Sequence, residues 1–173
     1  PISPAVFIPI AEETGLIHRL GVLVLERACR DAMQWPRPIT VAVNVSPVQL
    51  QAGTVAATVE RILAETGLPP ERLQLELTES TFVHDDDGLR DEFDALTARG
   101  ITFALDDFGT GYSSLSHLTR FPISKIKIDR GFVADAADNP TSMAVLRSVM
   151  ALAEGLGAHS IAEGIETEEQ AAL

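Results

Sequence analysis

What this sequence has little of narrows its function before any motif does. It holds one cysteine among 173 residues, so no disulfide framework can form within it. Cys29, in a helical run beside Ala28, reads as a small core residue in a reducing compartment, which points to the cytoplasm. Basic residues are scarce too, 13 against 25 acidic, for a formal net charge of −12. That balance argues against a nucleic-acid polymer held through its phosphates. An anionic ligand would need local cations, either a few Lys and Arg or bound metal ions. Long apolar runs are missing: stretches such as "GVLVL" fall far short of the ~20 residues of a membrane span. No charged start with a cleavage pattern suggests a secretory leader, although the parent protein could still carry a membrane tether outside these residues. There is also no internal repeat, no low-complexity tract and no linker composition.

What is present is enough for one sizeable core, with 46% hydrophobic residues, and a single domain over 1–173 is the natural reading. Helix-like and strand-like segments alternate along it. After Ser3 as N-cap, the pattern predicts a helix to about Glu13 and a second over 17–33, ended by Trp35-Pro36. Strands are expected near 39–44, 73–77, 101–106, 124–128 and 158–163. Helices are expected near 54–66, 86–98, 114–119 and 140–156, with "ETGLPPE" and "TARGI" as turns between helix and strand.

Such alternation implies a parallel sheet flanked by helices, either a doubly wound sheet or a (β/α)8 barrel. Strand composition favours the barrel. In "TVAVN", "LQLEL", "TFALD" and "KIKID", small or polar residues occupy one face and apolar residues the other. Strands buried on both faces by helices would be apolar almost throughout. Each polar set ends at the strand's C-terminal end, with Asn44, Glu76, Asp106 and Asp107, Lys127, and Glu163. That is the rim where (β/α)8 enzymes build their sites. Only five such strands fit, so an incomplete barrel, truncated at both ends, is expected.

Two adjacent like charges at a strand end should raise each other's pKa unless something positive lies between them. Carboxylates and an amide oxygen arriving at one rim are hard ligands suited to Mg²⁺ or Mn²⁺. With Glu163 there are enough for two ions, which at ~3.5–4 Å separation clamp the attacking and leaving oxygens of a phosphoryl displacement. Lys127 would add a fixed cation near phosphate or water, whereas Lys125 reads as a snorkelling strand residue. The glycines of "FGTGYSS" give the next loop backbone freedom, with Ser113 as the N-cap of the following helix. His18, His84, His117 and His159 share no ligand spacing. The "HDDD" run at 84–87 reads as charge at a helix N-terminus, and Ser46 as an N-cap. The Ser113-Ser114 pair lacks a partner histidine that would suggest a hydrolytic nucleophile.

Six ordered motifs, "FIPIAEETGLI", "NVSPVQL", "LELTES", "DDFGTGYSSL", "KIKID" and "IAEGIET", together resemble the EAL domain, the cyclic di-GMP phosphodiesterase of bacterial signalling. The resemblance covers nearly the whole chain. It implies a (β/α)8 barrel that hydrolyses cyclic di-GMP to linear pGpG with two Mg²⁺ or Mn²⁺ ions. It also implies roles. Asn44 and Glu76 resemble ligands of a first metal, Asp106 the bridging ligand, and Asp107 and Glu163 ligands of a second. Lys127 resembles the residue that binds the attacking water or phosphate, and Glu163 is a further candidate for the base. Glu79 is similar to the glutamate that anchors the flexible loop, and Glu166 to a residue near substrate. The family's name-giving Glu-Ala-Leu and a substrate-contacting glutamine match nothing in the chain. Without them, the chain taken literally is expected to be inactive alone. A catalytically inactive cyclic di-GMP receptor is the alternative within the family, and a barrel enzyme acting on another phosphorylated substrate is the weaker one. A homodimer, and sensory or diguanylate cyclase (GGDEF) domains in the parent protein, complete the expected partners.

Overall fold

The computed structural model describes residues 2–82, 87–109, 118–136 and 138–172. They group into two compact units, one of 1–76 with 84–102, the other of 77–83 with 103–173.

In the first unit, α1 (Pro4–Glu13) and α2 (Leu16–Met33) are separated by Gly15 at φ 72°. Glycine carries this left-handed reversal without the Cβ penalty. Ser3 sits at the N-cap of α1 as expected, but its side chain makes no capping bond. Ile17, Leu25, Cys29 and Ala32 form the buried stripe of α2, at the spacing of one helical face. Strand β1 (Val41–Asn44) is followed by α3 (Pro47–Gln51), a one-turn helix too short to show periodicity in sequence. Its cap is the one the sequence offered. Ser46 Oγ accepts from the Val48 N–H and the Gln49 side chain accepts from the Ser46 N–H, a capping box. Ser46 Oγ also donates to Glu12 on α1 at 2.6 Å.

Helix α4 (Val55–Thr66) buries Val55, Val59, Ile62 and Leu63, and ends on Gly67 in the left-handed region. A 3₁₀ turn (Pro70–Arg72) leads into β2 (Leu73–Thr78). Strands β1 and β2 are parallel, with Val41 opposite Leu73 and Asn44 opposite Glu76. Arg72 donates to the carbonyls of Ala32 and Ile39, joining the end of α2 to the approach to β1. Helix α5 (Asp87–Thr97) supplies Glu92, a buried carboxylate that accepts from the Ala56 N–H in the first turn of α4. A negative charge there complements the helix dipole.

The second unit contains the 3₁₀ turn Glu79–Phe82, strands β3 (Thr102–Phe108), β4 (Ile123–Ile128) and β5 (His159–Ala162), and helices α6 (Arg130–Asp135), α7 (Pro140–Leu156) and α8 (Glu168–Ala171). Strand β4 pairs in parallel with both β3 and β5. Phe103, Leu105, Ile126 and Ile128 form the buried side of this sheet. Helix α7 packs against β4 and β5, turning Leu146, Val149 and Ala153 inward. Asn139 caps it, accepting from the N–H groups of Thr141 and Ser142. Phe82 and Phe121 stack at 4.9 Å between ring centroids, tilted by 56°. Helices α6 and α8, like α3, are too short for sequence periodicity. The expected helix over 114–119, the Ser113 cap, the "HDDD" cap and most of "FGTGYSS" lie outside the described residues, apart from Asp87 at the start of α5 and Leu118–Thr119 at the end of the expected helix.

Candidate metal centre

The end of β3 departs from a regular strand at the two aspartates. Leu105 is opposite Ile126 and Phe108 opposite Ile128, so three steps along β3 match two along β4. The extra residue falls at Asp106-Asp107, and Asp107 has φ 51°, the one left-handed non-glycine among the described residues. A bulge of this kind bends the strand and re-aims a side chain. Both aspartates therefore face the same place instead of opposite sides of the sheet. The Asp107 N–H donates to Asp106 Oδ1 at 3.1 Å.

Strand β5 delivers the third carboxylate. Glu163 directly follows it and is tied down by its N–H, which donates to the Ile128 carbonyl at 3.1 Å. Asp106, Asp107 and Glu163 each offer an oxygen to one cluster, these atoms lying within 4.8 Å of one another. Lys127, from β4, completes it: Nζ stands 2.8 Å from Asp106 Oδ1 and 2.8 Å from Glu163 Oε1. Lys127 and Asp106 are mostly buried, with side chains 16% and 14% exposed, so this ion pair is better shielded than a surface one. Asp107 is exposed overall, yet partial desolvation at the rim pushes its carboxyl above its usual range, with further upward pressure from the charges of Asp106, Asp129 and Glu163, while Lys127 pulls the other way. Of the side chains described at this cluster, one ammonium stands against three carboxylates.

Asn44, the last residue of β1, and Glu76, two residues before the end of β2, meet in the first unit as register partners, and the Val45 N–H donates to the Glu76 carbonyl at 2.9 Å. Glu79 is 7% exposed and accepts from the backbone N–H of Gly109, the residue after the Asp-Asp-Phe triplet. Glu166 is exposed, and its N–H is held by the Gln170 side chain in the cap of α8. Lys125 is half-buried on β4 opposite His159. Sequence reasoning missed Asp129 as a neighbour. It reads there as the end of "KIKID", whereas its carboxylate accepts from Gly131 N–H at 2.9 Å, caps α6 and adds to the negative field on Asp107.

The EAL domain family model matches residues 1–173. Among curated relatives, the bifunctional diguanylate cyclase/cyclic di-GMP phosphodiesterase MucR of Pseudomonas aeruginosa is 40% identical over 173 residues, 98% of this chain and 25% of MucR. The chain thus spans about a quarter of that relative's length. A solved structure of the PaMucR phosphodiesterase in complex with c-di-GMP superposes with a TM-score of 0.90 at 40% identity, covering 98% of this chain and 70% of that one. Klebsiella pneumoniae BlrP1, solved with manganese and cy-diGMP, gives a TM-score of 0.74 at 34% identity over 88% of this chain and 40% of its own.

Proposed function

The chain belongs to the EAL domain family, with an α/β fold of the TIM-barrel type, and we propose that the domain to which these residues belong hydrolyses cyclic di-GMP to linear pGpG with divalent metal. The observation that carries this reading is the meeting of Asp106, Asp107 and Glu163 around Lys127. The donor set fits a hard divalent ion. It consists of carboxylate oxygens, among the described residues it sets three carboxylates against the lysine between them, and it is brought together by a bulge at a strand end, which surface acids do not need. Bound there, Mg²⁺ or Mn²⁺ supplies Lewis acidity at phosphorus and lowers the pKa of a coordinated water.

The chain's own residues then divide the work. Asp106, Asp107 and Glu163 would hold one ion, and Asn44 with Glu76 would hold another. Lys127, already placed against two carboxylates, would turn its ammonium to a phosphate oxygen or to the attacking water as cations take over the neutralisation of Asp106 and Glu163. A fixed charge of this kind stabilises the negative charge that develops in the transition state. Glu163 would also accept the water's proton. Glu79 would anchor the loop that starts at Gly109 and so fix the backbone after the two aspartates, with Glu166 near the substrate. Burial pushes the Cys29 thiol up to about 11, which suits the inert core residue expected of it, and among the described residues no helix is long and apolar enough to cross a membrane. A family match over 1–173 supports one domain, and the length of the bifunctional relative MucR supports a parent with further domains, a cyclase domain among them; a homodimer is proposed with it on the family resemblance alone.

The test is incubation of the complete domain with cyclic di-GMP and Mn²⁺ or Mg²⁺, followed by chromatography for pGpG. Metal-dependent product that Asp106→Asn abolishes is the expected result. Nucleotide binding without turnover would assign the domain to the receptor class instead.

A further inference from the structure

The end of β4 and the short segment after it touch the backbone beside both Asp107 and Glu163. Ile128 accepts from the Glu163 N–H. Asp129 caps α6 through Gly131, which fixes how Arg130 and Phe132 leave the strand. Gly164, next to Glu163, has φ 69° and lies so close to Arg130 that a Cβ added there would stand 2.6 Å from the Arg130 Cβ. Gly109, two residues after Asp107, has φ 103°, and a Cβ there would stand 2.7 Å from the Phe132 ring. Both glycines are therefore required twice over, by a left-handed backbone and by a neighbour already in van der Waals contact. Gly109 is held from two sides, its N–H by Glu79 and its Cα by the Phe132 ring.

We propose that Phe132 is a positioning residue for the metal cluster: its ring backs Gly109 as Arg130 backs Gly164, so that residues 128–132 act as a strut setting the separation of Asp107 and Glu163. This rests on the metal reading given above. The physical argument is one of stiffness. Three like-charged carboxylates relax apart unless packing prevents it, and an ion that needs oxygens at 2.0–2.1 Å (Mg²⁺) gains little from a cluster that has spread. Asp107 lies within the irregular step of β3, two residues before Gly109, so regular strand geometry does not by itself set its direction. The ring supplies the missing wall. Residues that orient metal ligands without touching the metal typically change affinity by ~10–100-fold when mutated.

The experiment measures free Mn²⁺ by electron paramagnetic resonance during titration of the complete domain, for wild type, Phe132→Leu and Phe132→Ala, with melting in chelator as the check on folding. Phe132→Ala is expected to raise the Mn²⁺ Kd by about tenfold or more, and Phe132→Leu to give a smaller rise in the same direction. Turnover should need correspondingly more Mn²⁺, yet return close to the wild-type kcat at saturating metal, a split that general destabilisation does not produce. Should Phe132→Ala fail to fold, Phe132→Leu alone decides by its Kd. Folded variants that bind Mn²⁺ as tightly as the wild type would overturn the strut and leave the metal site standing. A wild-type domain that binds no Mn²⁺ would overturn the metal reading and the strut with it.

Discussion

Asp107 combines three costs in one residue: a left-handed backbone at φ 51°, an extra step in the strand register, and a carboxyl held above its ordinary range. Each is unfavourable for folding, and such strain concentrates at functional sites. The sign of its pH dependence follows from the direction of the shift. With the folded pKa raised above the unfolded one, ionisation of Asp107 opposes folding, so its contribution is most favourable below the ordinary carboxylate range and is lost as pH rises through the raised value. Asp107→Asn keeps a residue that tolerates the left-handed region and removes the charge. In chelator, this variant should melt above wild type at neutral pH, and the difference should vanish on acidification. Its gain in melting temperature from Mn²⁺ should be smaller than the wild type's, since a ligand has gone. A pH-independent difference would show that repulsion at the rim is not the cause.

Lys127 carries the opposite charge in the same cluster, 2.8 Å from both Asp106 and Glu163. Lys127→Met keeps most of the packing and leaves two partly shielded carboxylates without their cation. Charge-assisted hydrogen bonds contribute about 1.5–3 kcal/mol, and a loss of that order is expected in chelator by urea melts. Much of it should return with saturating Mn²⁺, while turnover should not. Full turnover in the variant would remove Lys127 from the chemistry.

At the scale of elements, the sheet of the second unit supplies the geometry and its helices supply stability. Strands β3, β4 and β5 run parallel, so their C-terminal ends fall on one side, and Asp106, Lys127 and Glu163 arrive there from three separate strand ends. Helix α7 buries Leu146, Val149 and Ala153 and takes no part in the cluster. Its cap separates the two roles. Asn139→Ala removes the acceptor for Thr141 and Ser142 and should cost about 0.5–2 kcal/mol in chemical denaturation, with unchanged kcat and Mn²⁺ affinity below the transition. Altered metal affinity would mean that α7 also sets the site. These elements were legible in sequence wherever a helix ran for several turns, as in the 140–156 expectation that coincides with Pro140–Leu156. The short helices α3 and α6 were not, because they bury too few residues to leave a periodic trace. What marks them is a cap, Ser46 in one case and Asp129 in the other, and a lone cap residue does not distinguish a helix from a turn.

For the whole molecule, the governing quantity is a net charge of −12. A protein so acidic repels itself, and a divalent cation that binds only the folded state stabilises it by about 2.7 kcal/mol at a hundred times its Kd. Mn²⁺ should therefore raise the melting temperature of the complete domain in a saturable way, and Asp106→Asn should remove most of the rise. A rise that persists in Asp106→Asn would mean that the ion acts through general screening, and equal ionic strength of NaCl would then reproduce it.

The sequence by itself determined the alternation of strands and helices, the apolar face of the first four strands, the family, and the fact that Asn44, Glu76, Asp106 and Glu163 fall within two residues of strand ends. All of these follow from local periodicity and ordered motifs, since a strand's side-chain period is two wherever the strand ends up. Only the tertiary structure decided that Lys127 stands between Asp106 and Glu163, that an extra residue in β3 brings Asp107 alongside Asp106, and that Gly109 and Gly164 are pressed against Phe132 and Arg130. Apart from the adjacent aspartates, those are contacts across tens of residues, and all are set by parallel register and by which surfaces happen to fill the same space. No local pattern carries them, because the free energy that selects them belongs to the packed pair and not to either residue.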